Sequence, residues 1–316
     1  MPRKTPRAAR KATLKQAPAT RRVVRHAVRN GTARAAALIA ARNASRRRAK
    51  GPHDSPGVLV AEGDSWFDYP LLDVLDALED VGYHVESVAH KGDRLESMAY
   101  DDAQLKALQR ALLHLRDQKR VPRALLLSGG GNDIAGDEFA MLLNHAASGL
   151  PPLNAKVVDG VINERLKAAI CWTLAAATRF CLEYFNRTIP IVVHGYAYPV
   201  PDGRGFLGGF SLLPGPWLEP GFRQKGYVTR PGDAELAGNT KILEPLINTF
   251  NAMVASLPGE RDLGHVSYLD LRAELTNEVG GKKYRRDWAN ELHPTDAGFK
   301  AVAKRFDERV RTFPKP

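Results

Sequence analysis

Short apolar runs alternate with amphipathic stretches through most of this 316-residue chain. The pattern predicts strands at 58–60, 83–89, 123–127, 190–194 and 266–269, each a brief run rich in Val, Leu, Ile or Tyr. Between them the spacing turns helical. Residues 70–81 place Leu71, Val74, Leu75 and Leu78 on one face before Gly82, and residues 103–116 form an amphipathic helix ahead of Pro122. Residues 161–186 carry Ile162, Leu166, Ile170, Leu174, Ala177, Cys181 and Tyr184 at three- and four-residue spacing, as expected of a helix covering a sheet. Further helices are expected over 240–257 and 296–312, the last with Thr295 as N-cap. Strand and helix in alternation predict a three-layer α/β/α sandwich, flavodoxin-like, around a mainly parallel five-stranded sheet.

One stretch breaks the rhythm. Residues 196–238 are dense in Gly, Pro and aromatics, among them Tyr198, Phe206, Phe210, Trp217, Phe222 and Tyr227. Loops of this length are usually functional or disordered, and the aromatics argue against simple disorder. Because the segment leaves the fourth strand at its carboxyl end, it is expected to cover the site and select substrates, with Trp217 and Phe222 as its contact residues.

Charge divides the chain. Residues 1–50 hold 16 Lys and Arg and no Asp or Glu, which leaves 30 basic and 35 acidic residues after them, a net of −5. Residues 1–56 therefore read as a basic tail that cannot bury enough apolar surface to fold alone, and 57–316 as one domain. The tail is either solvated or contacts nucleic acid or an anionic surface, where 23–44 could become helical. No run approaches the roughly 18 apolar residues of a membrane span. No export signal is legible either, and the expected location is cytoplasmic. Cys171 and Cys181 fall ten residues apart on one expected helix, about 15 Å along its axis, too far for a disulfide. No spaced ligand pair suggests a metal, and no phosphate-binding loop or dinucleotide fingerprint follows a strand, so no cofactor is expected.

The candidate chemistry begins where the first strand ends, at Gly63-Asp64-Ser65-Trp66. A buried strand delivering a serine to the carboxyl edge of a sheet puts it where open α/β folds keep their chemistry. To act as a nucleophile the serine needs a base, something to orient that base, and donors for an oxyanion. Gly92 follows the second strand, Gly130-Gly131-Asn132-Asp133 follows the third, and His293-Pro294-Thr295 precedes the last helix. These four motifs, in this order and on these elements, resemble the SGNH (GDSL-like) hydrolases over roughly residues 57–312.

The resemblance implies Ser65 as nucleophile and His293 as general base. It also implies an oxyanion hole built from the backbone N–H groups of Ser65 and Gly92 and the side-chain amide of Asn132. The implied activity is hydrolysis of an acyl or acetyl ester, of a small molecule, lipid or acylated glycan, through an acyl-serine and without cofactor. The chain departs from the family where an aspartate is usual, three residues before the histidine: here stands Asn290, a neutral acceptor, with Asp287 and Glu291 as alternative carboxylates. Asp64 and Asp133 are expected to be structural, and Asp68, Tyr69, His90 and His194 to be scaffold or pocket wall. The rival readings are a catalytically idle binding module with an anion-binding tail, for which Asn290 speaks, and an acyltransferase.

Overall fold

The computed structural model describes residues 55–70, 72–206, 214–229 and 232–316. The basic segment 1–50, with its expected contact to nucleic acid or an anionic surface, lies outside the described residues, as do Leu71 and Phe210. Ser55 and Pro56, expected in the tail, are already docked: Pro56 is buried, its carbonyl accepts from Arg123, and Ser55 donates to the Gly82 carbonyl.

One strand in from an edge of the sheet runs β1 (Val58–Glu62), buried along its whole length. Beside it lie β2 (His84–Ser87) and β3 (Ala124–Leu127), followed outward by β4 (Ile191–His194) and β5 (Val266–Leu269). The order is β2-β1-β3-β4-β5 and every pairing is parallel, the flavodoxin-like arrangement. In register Glu62 stands opposite Leu127, and Leu127 opposite Val193. The loops leaving β1, β3 and β4 therefore emerge side by side.

The helices in chain order are α1 (Val74–Asp80), α2 (Leu95–Tyr100), α3 (Asp102–Asp117), α4 (Phe139–Leu142) and α5 (Ala155–Asp159). A π-helical turn, Gly160–Leu166, leads into α6 (Lys167–Phe185), and α7 (Glu219–Gln224), α8 (Asp233–Ser256) and α9 (Asp296–Arg311) follow. Helices α1 and α9 pack together, and α3 packs on α6. Right-handed crossovers put these two pairs on opposite faces of the sheet. From α9, Phe299, Val302, Phe306 and Val310 are fully buried, each such side chain contributing roughly 1.5–3 kcal/mol relative to exposure. Both cysteines lie on α6 as free thiols, and burial pushes that of Cys181 up to about 12. Among the described residues no helix is long and apolar enough to cross a membrane.

Several elements differ from the sequence expectation, the short α4 and α5 among them. Helix α1 begins at Val74 rather than at residue 70, because the Asp73 carboxylate caps it by accepting from Asp76 N at 2.8 Å. Helix α2 was unforeseen; its first N–H, on Leu95, donates to Asp133 at 3.0 Å, a contact distant in sequence. The long segment 196–238 is not continuous loop. It holds α7 and the first turns of α8, which starts at Asp233 and not at 240. Pro220 and Gly221 read as breakers, yet Pro in a first helical turn gives up only an N–H that has no helical partner. Gly238 is carried inside α8 because the buried Asn239, Thr240, Leu243 and Leu246 beyond it repay its helix cost of about 1 kcal/mol.

Candidate active site

Ser65 stands on the tight turn after β1. Gly63 lets that turn lie against the loop after β3: a Cβ there would meet Ser128 at 2.7 Å. The buried Asp64 then bolts the turn in place. Its Oδ1 accepts from Trp66 N at 3.0 Å and from the Ser128 hydroxyl at 2.7 Å, and its Oδ2 accepts from the Tyr196 hydroxyl. His194, fully buried and stacked on Trp66, reaches Ser128 from the other side at 2.8 Å. The indole N–H of Trp66 donates to the Leu292 carbonyl at 3.0 Å, which ties the serine turn to the loop before α9.

On that loop His293 is 6% exposed, and its Nε2 lies 2.7 Å from Ser65 Oγ. Its Nδ1 lies 3.0 Å from Asn290 Oδ1. The orientation of the Asn290 amide follows from its other partners. Oδ1 also accepts from the backbone N–H groups of Leu292 (3.0 Å) and His293 (2.9 Å), while Nδ2 donates to the Tyr69 hydroxyl at 3.1 Å. A flipped amide would set an NH₂ against two N–H donors, so the oxygen must face the ring. An acceptor at Nδ1 requires the proton there, which leaves Nε2 bare and able to accept the Ser65 proton. The Tyr69 ring also stacks on the imidazole at 4.5 Å between centroids, and Trp217 meets it edge-on at 5.3 Å. Buried without a countercharge, His293 is driven down to about 3 by desolvation and stays neutral.

The carboxylates offered as alternatives to Asn290 point elsewhere. Asp287 accepts from Arg286 and from Thr276 N, and Arg286 holds its carboxyl below the usual range. Glu291 is fully buried and turns away from the imidazole: its two oxygens accept from the backbone N–H groups of Gly203, Trp217, Leu218 and Glu219. It thereby fastens the covering segment to the loop that carries His293. Arg204 adds to the fastening, donating to the carbonyls of Ala289 and Trp288.

Asn132 and Ser65 share the wall of one pocket. One proton of the Asn132 amide goes to the Asp93 carbonyl at 2.9 Å, which holds the loop of Gly92 against this edge. Gly92 has φ +90°, a left-handed conformation natural to glycine, and nothing stands within 4 Å of where a Cβ would be. Asp68 steadies the same loop by accepting from Lys91 N at 3.0 Å. Asp133 accepts from Leu95 N, and burial raises its carboxyl to about 6.

Sequence reasoning passed over Tyr69, which holds the Asn290 amide, and Glu291 as a fastener of the cover. A tyrosine four residues after Ser65 carries no signal of a partner 221 positions away. Phe222 requires correction as a substrate contact. It is fully buried, packed on Phe139 and Tyr227, and forms the core of the cover rather than its inner wall. Trp217 faces His293.

A five-stranded parallel α/β/α sandwich with a serine, a histidine and an asparagine at its carboxyl edge is the arrangement that the sequence motifs resemble. Searches found no family model and no curated protein that matches the chain. Among solved structures it is similar to a GDSL-like lipase from Bacteroides thetaiotaomicron, at 11% identity over 81% of this chain and 88% of that one, with TM-score 0.38. A carbohydrate acetylesterase from Sinorhizobium meliloti is 12% identical over 81% and 99%, with TM-score 0.43. The protein TesA is 14% identical over 81% and 98%, with TM-score 0.41.

Proposed function

We propose that the chain hydrolyses carboxylic esters through an acyl-serine intermediate. The observation that carries this reading is the relay Ser65 Oγ–His293 Nε2 at 2.7 Å and His293 Nδ1–Asn290 Oδ1 at 3.0 Å. In the first step Ser65 Oγ bonds to the ester carbonyl carbon while its proton passes to Nε2. The carbonyl π pair moves onto oxygen, where the N–H groups of Ser65 and Gly92 and the remaining Asn132 amide proton would receive the charge. As the carbonyl re-forms, the bond to the alcohol oxygen breaks and that oxygen takes the proton from Nε2. Water then repeats the sequence: it adds to the acyl carbon, gives a proton to Nε2, and the acid leaves as Ser65 recovers its proton.

Asn290 supplies geometry without charge. The imidazolium formed in each step meets the Asn290 oxygen and the face of Tyr69, with no carboxylate in contact with it among the described residues. A fluorophosphonate probe tests the reading. Stoichiometric labelling at Ser65, absent in Ser65→Ala and in His293→Ala, is the expected result; folded protein that does not react would favour the idle binding module.

A further inference from the structure

The direction in which Gly92 offers its N–H is set by the turn on which it stands. His90 to Asp93 form a β-turn, with Asp93 N donating to the His90 carbonyl at 3.1 Å. Of the four residues only Gly92, in third place, has a positive φ, at +90°, as the type II form requires. In the type I form the peptide joining Lys91 to Gly92 is turned over, and its N–H points the opposite way. The backbone of this turn is tied at both ends: His90 N donates to the Gly63 carbonyl and the Asn132 amide to the Asp93 carbonyl, each at 2.9 Å. The Asp93 side chain is engaged from a third direction. Gln104 stands in the first turn of α3, a helix capped by Asp101, whose carboxylate accepts from Ala103 N at 2.7 Å. Its Nε2 donates to Asp93 Oδ2 at 2.6 Å and to Glu62 Oε1 at 2.8 Å. Glu62 ends β1, is 4% exposed, and also accepts from Gly63 N at 3.1 Å. One amide, using both of its protons, thus spans the strand that delivers Ser65 and the turn that presents Gly92.

We propose that Gln104 is a positioning residue for the oxyanion hole: by joining Glu62 to Asp93 it keeps the Gly92 N–H turned toward the carbonyl oxygen of an ester on Ser65. The proposal rests on the ester-hydrolase reading and deepens it. Charge decides when the bridge holds. Glu62 shares the wall of a small cavity with Leu127 of β3 and with Thr173 and Leu174 of α6, none of them charged. From the loop it faces Asp93, whose other oxygen lies 3.5 Å from His90 Nδ1. Burial, with the Asp93 charge adding to it, pushes the Glu62 carboxyl up to about 8. Asp93 is raised as well, by burial and by the nearby Asp64, against the pull of His90 and Gln104. Both donors to Glu62 fall on Oε1, which leaves Oε2 to carry the proton of the neutral acid. While Glu62 is neutral the amide of Gln104 joins one charge to an uncharged partner. Once Glu62 ionises, two carboxylates repel each other across one amide, and the turn loses its hold.

The test is steady-state turnover of p-nitrophenyl acetate by Gln104→Leu, which keeps a side chain of similar bulk and loses both donors. Its kcat should fall about ten- to a hundredfold, short of the roughly 10²–10³ cost of deleting an oxyanion donor, with KM within about twofold of wild type. Gly92→Ala reads the backbone conformation alone, since the added Cβ meets nothing within 4 Å. In that background Gln104→Leu should cost less than about threefold more, because both changes act through one N–H. Wild-type kcat/KM should decline as pH rises through about 8, and Glu62→Gln, which mimics the neutral acid, should lack that limb. Should Gln104→Leu fold poorly, Asp93→Ala and Asp93→Asn read the same bridge: asparagine keeps an acceptor for Gln104 and should recover most of what alanine loses. A kcat within about twofold of wild type in folded Gln104→Leu, losses that multiply with those of Gly92→Ala, equal losses in the two Asp93 variants, or like alkaline limbs in wild type and Glu62→Gln each overturn the positioning role and leave ester hydrolysis in place. Absence of turnover on every ester, together with no labelling of Ser65, overturns the hydrolase reading and the positioning role with it.

Discussion

On the turn before Ser65, a buried carboxylate, Asp64, takes hydrogen bonds from a backbone N–H and from two hydroxyl groups. On the loop before His293 the corresponding place is held by an amide, Asn290, which takes two backbone N–H groups and the imidazole on one oxygen. The fully buried carboxylate of that loop, Glu291, accepts instead from the covering segment. Both turns are held by side-chain hydrogen bonds to backbone N–H groups, yet only the first does so with a carboxylate. Orientation and charge compensation, usually joined in one aspartate, are separated here. In the proposed mechanism Asn290 orients His293, and among the described residues no carboxylate contacts the imidazole.

The largest effects should come from the relay itself. Ser65→Ala and His293→Ala are each expected to lower kcat by at least about a thousandfold, on the scale of losing a nucleophile or base. Steady-state turnover of a p-nitrophenyl ester measures this; a residual rate within about tenfold of wild type would remove either residue from the mechanism. Next comes the orienting amide. Asn290→Ala should cost roughly ten- to a hundredfold in kcat, while Asp287→Ala, whose carboxylate faces Arg286 and Thr276, should stay within about twofold. The reverse order of damage would break the comparison.

Charge can be restored to the second region by Asn290→Asp. With the imidazole held at about 3 by burial, its neutral form persists as pH falls from the free value of 6.5 toward 3. The acid limb of kcat/KM should accordingly lie well below 6.5 in wild type. A carboxylate at 290 favours the imidazolium and raises the pKa, so the acid limb should move upward; Tyr69, now an acceptor, would rotate to donate. Identical limbs in the two proteins would show that charge at this position is irrelevant. The same depression has a stability consequence: the contribution of neutral His293 is present above about 6.5 and is lost as pH falls toward 3.

The smallest expected change in chemistry, with a clear one in stability, is Glu291→Gln. A glutamine offers one oxygen and an NH₂ to four backbone N–H groups, so some are left unpaired, at a cost of roughly 2 kcal/mol. Denaturant titration reads that loss. Full retention of stability would mean that the cover is held by Arg204 and apolar packing instead.

Much of this was legible in the residues. The five strands, the last helix with its Thr295 cap, and the positions of Ser65, Asn132 and His293 follow from local pattern and motif order, because apolar runs, Gly-rich turns and capping residues act within a few positions of themselves. The start of α8 was not legible. Its first turn competes with Pro231 and Gly232 just before it, and the buried face that decides the matter lies farther along the helix. Phe222 was misjudged for a related reason: aromatic content marks a segment as packed without saying against what.

The sequence by itself determined a parallel α/β sandwich, the edge on which its chemistry would stand, and the three side chains whose types suit acyl transfer to serine. Which residue orients the base was left among Asn290, Asp287 and Glu291, all within seven positions of His293 and all able to accept a proton bond. Only the tertiary structure decided among them. Tyr69, from the far end of the domain, fixes the amide of Asn290; Arg286 and the Thr276 N–H engage Asp287; and the backbone N–H groups of the cover draw Glu291 away. Hydrogen-bond capacity is a property of a residue, but the direction in which it is spent is set by partners that folding brings from remote parts of the chain.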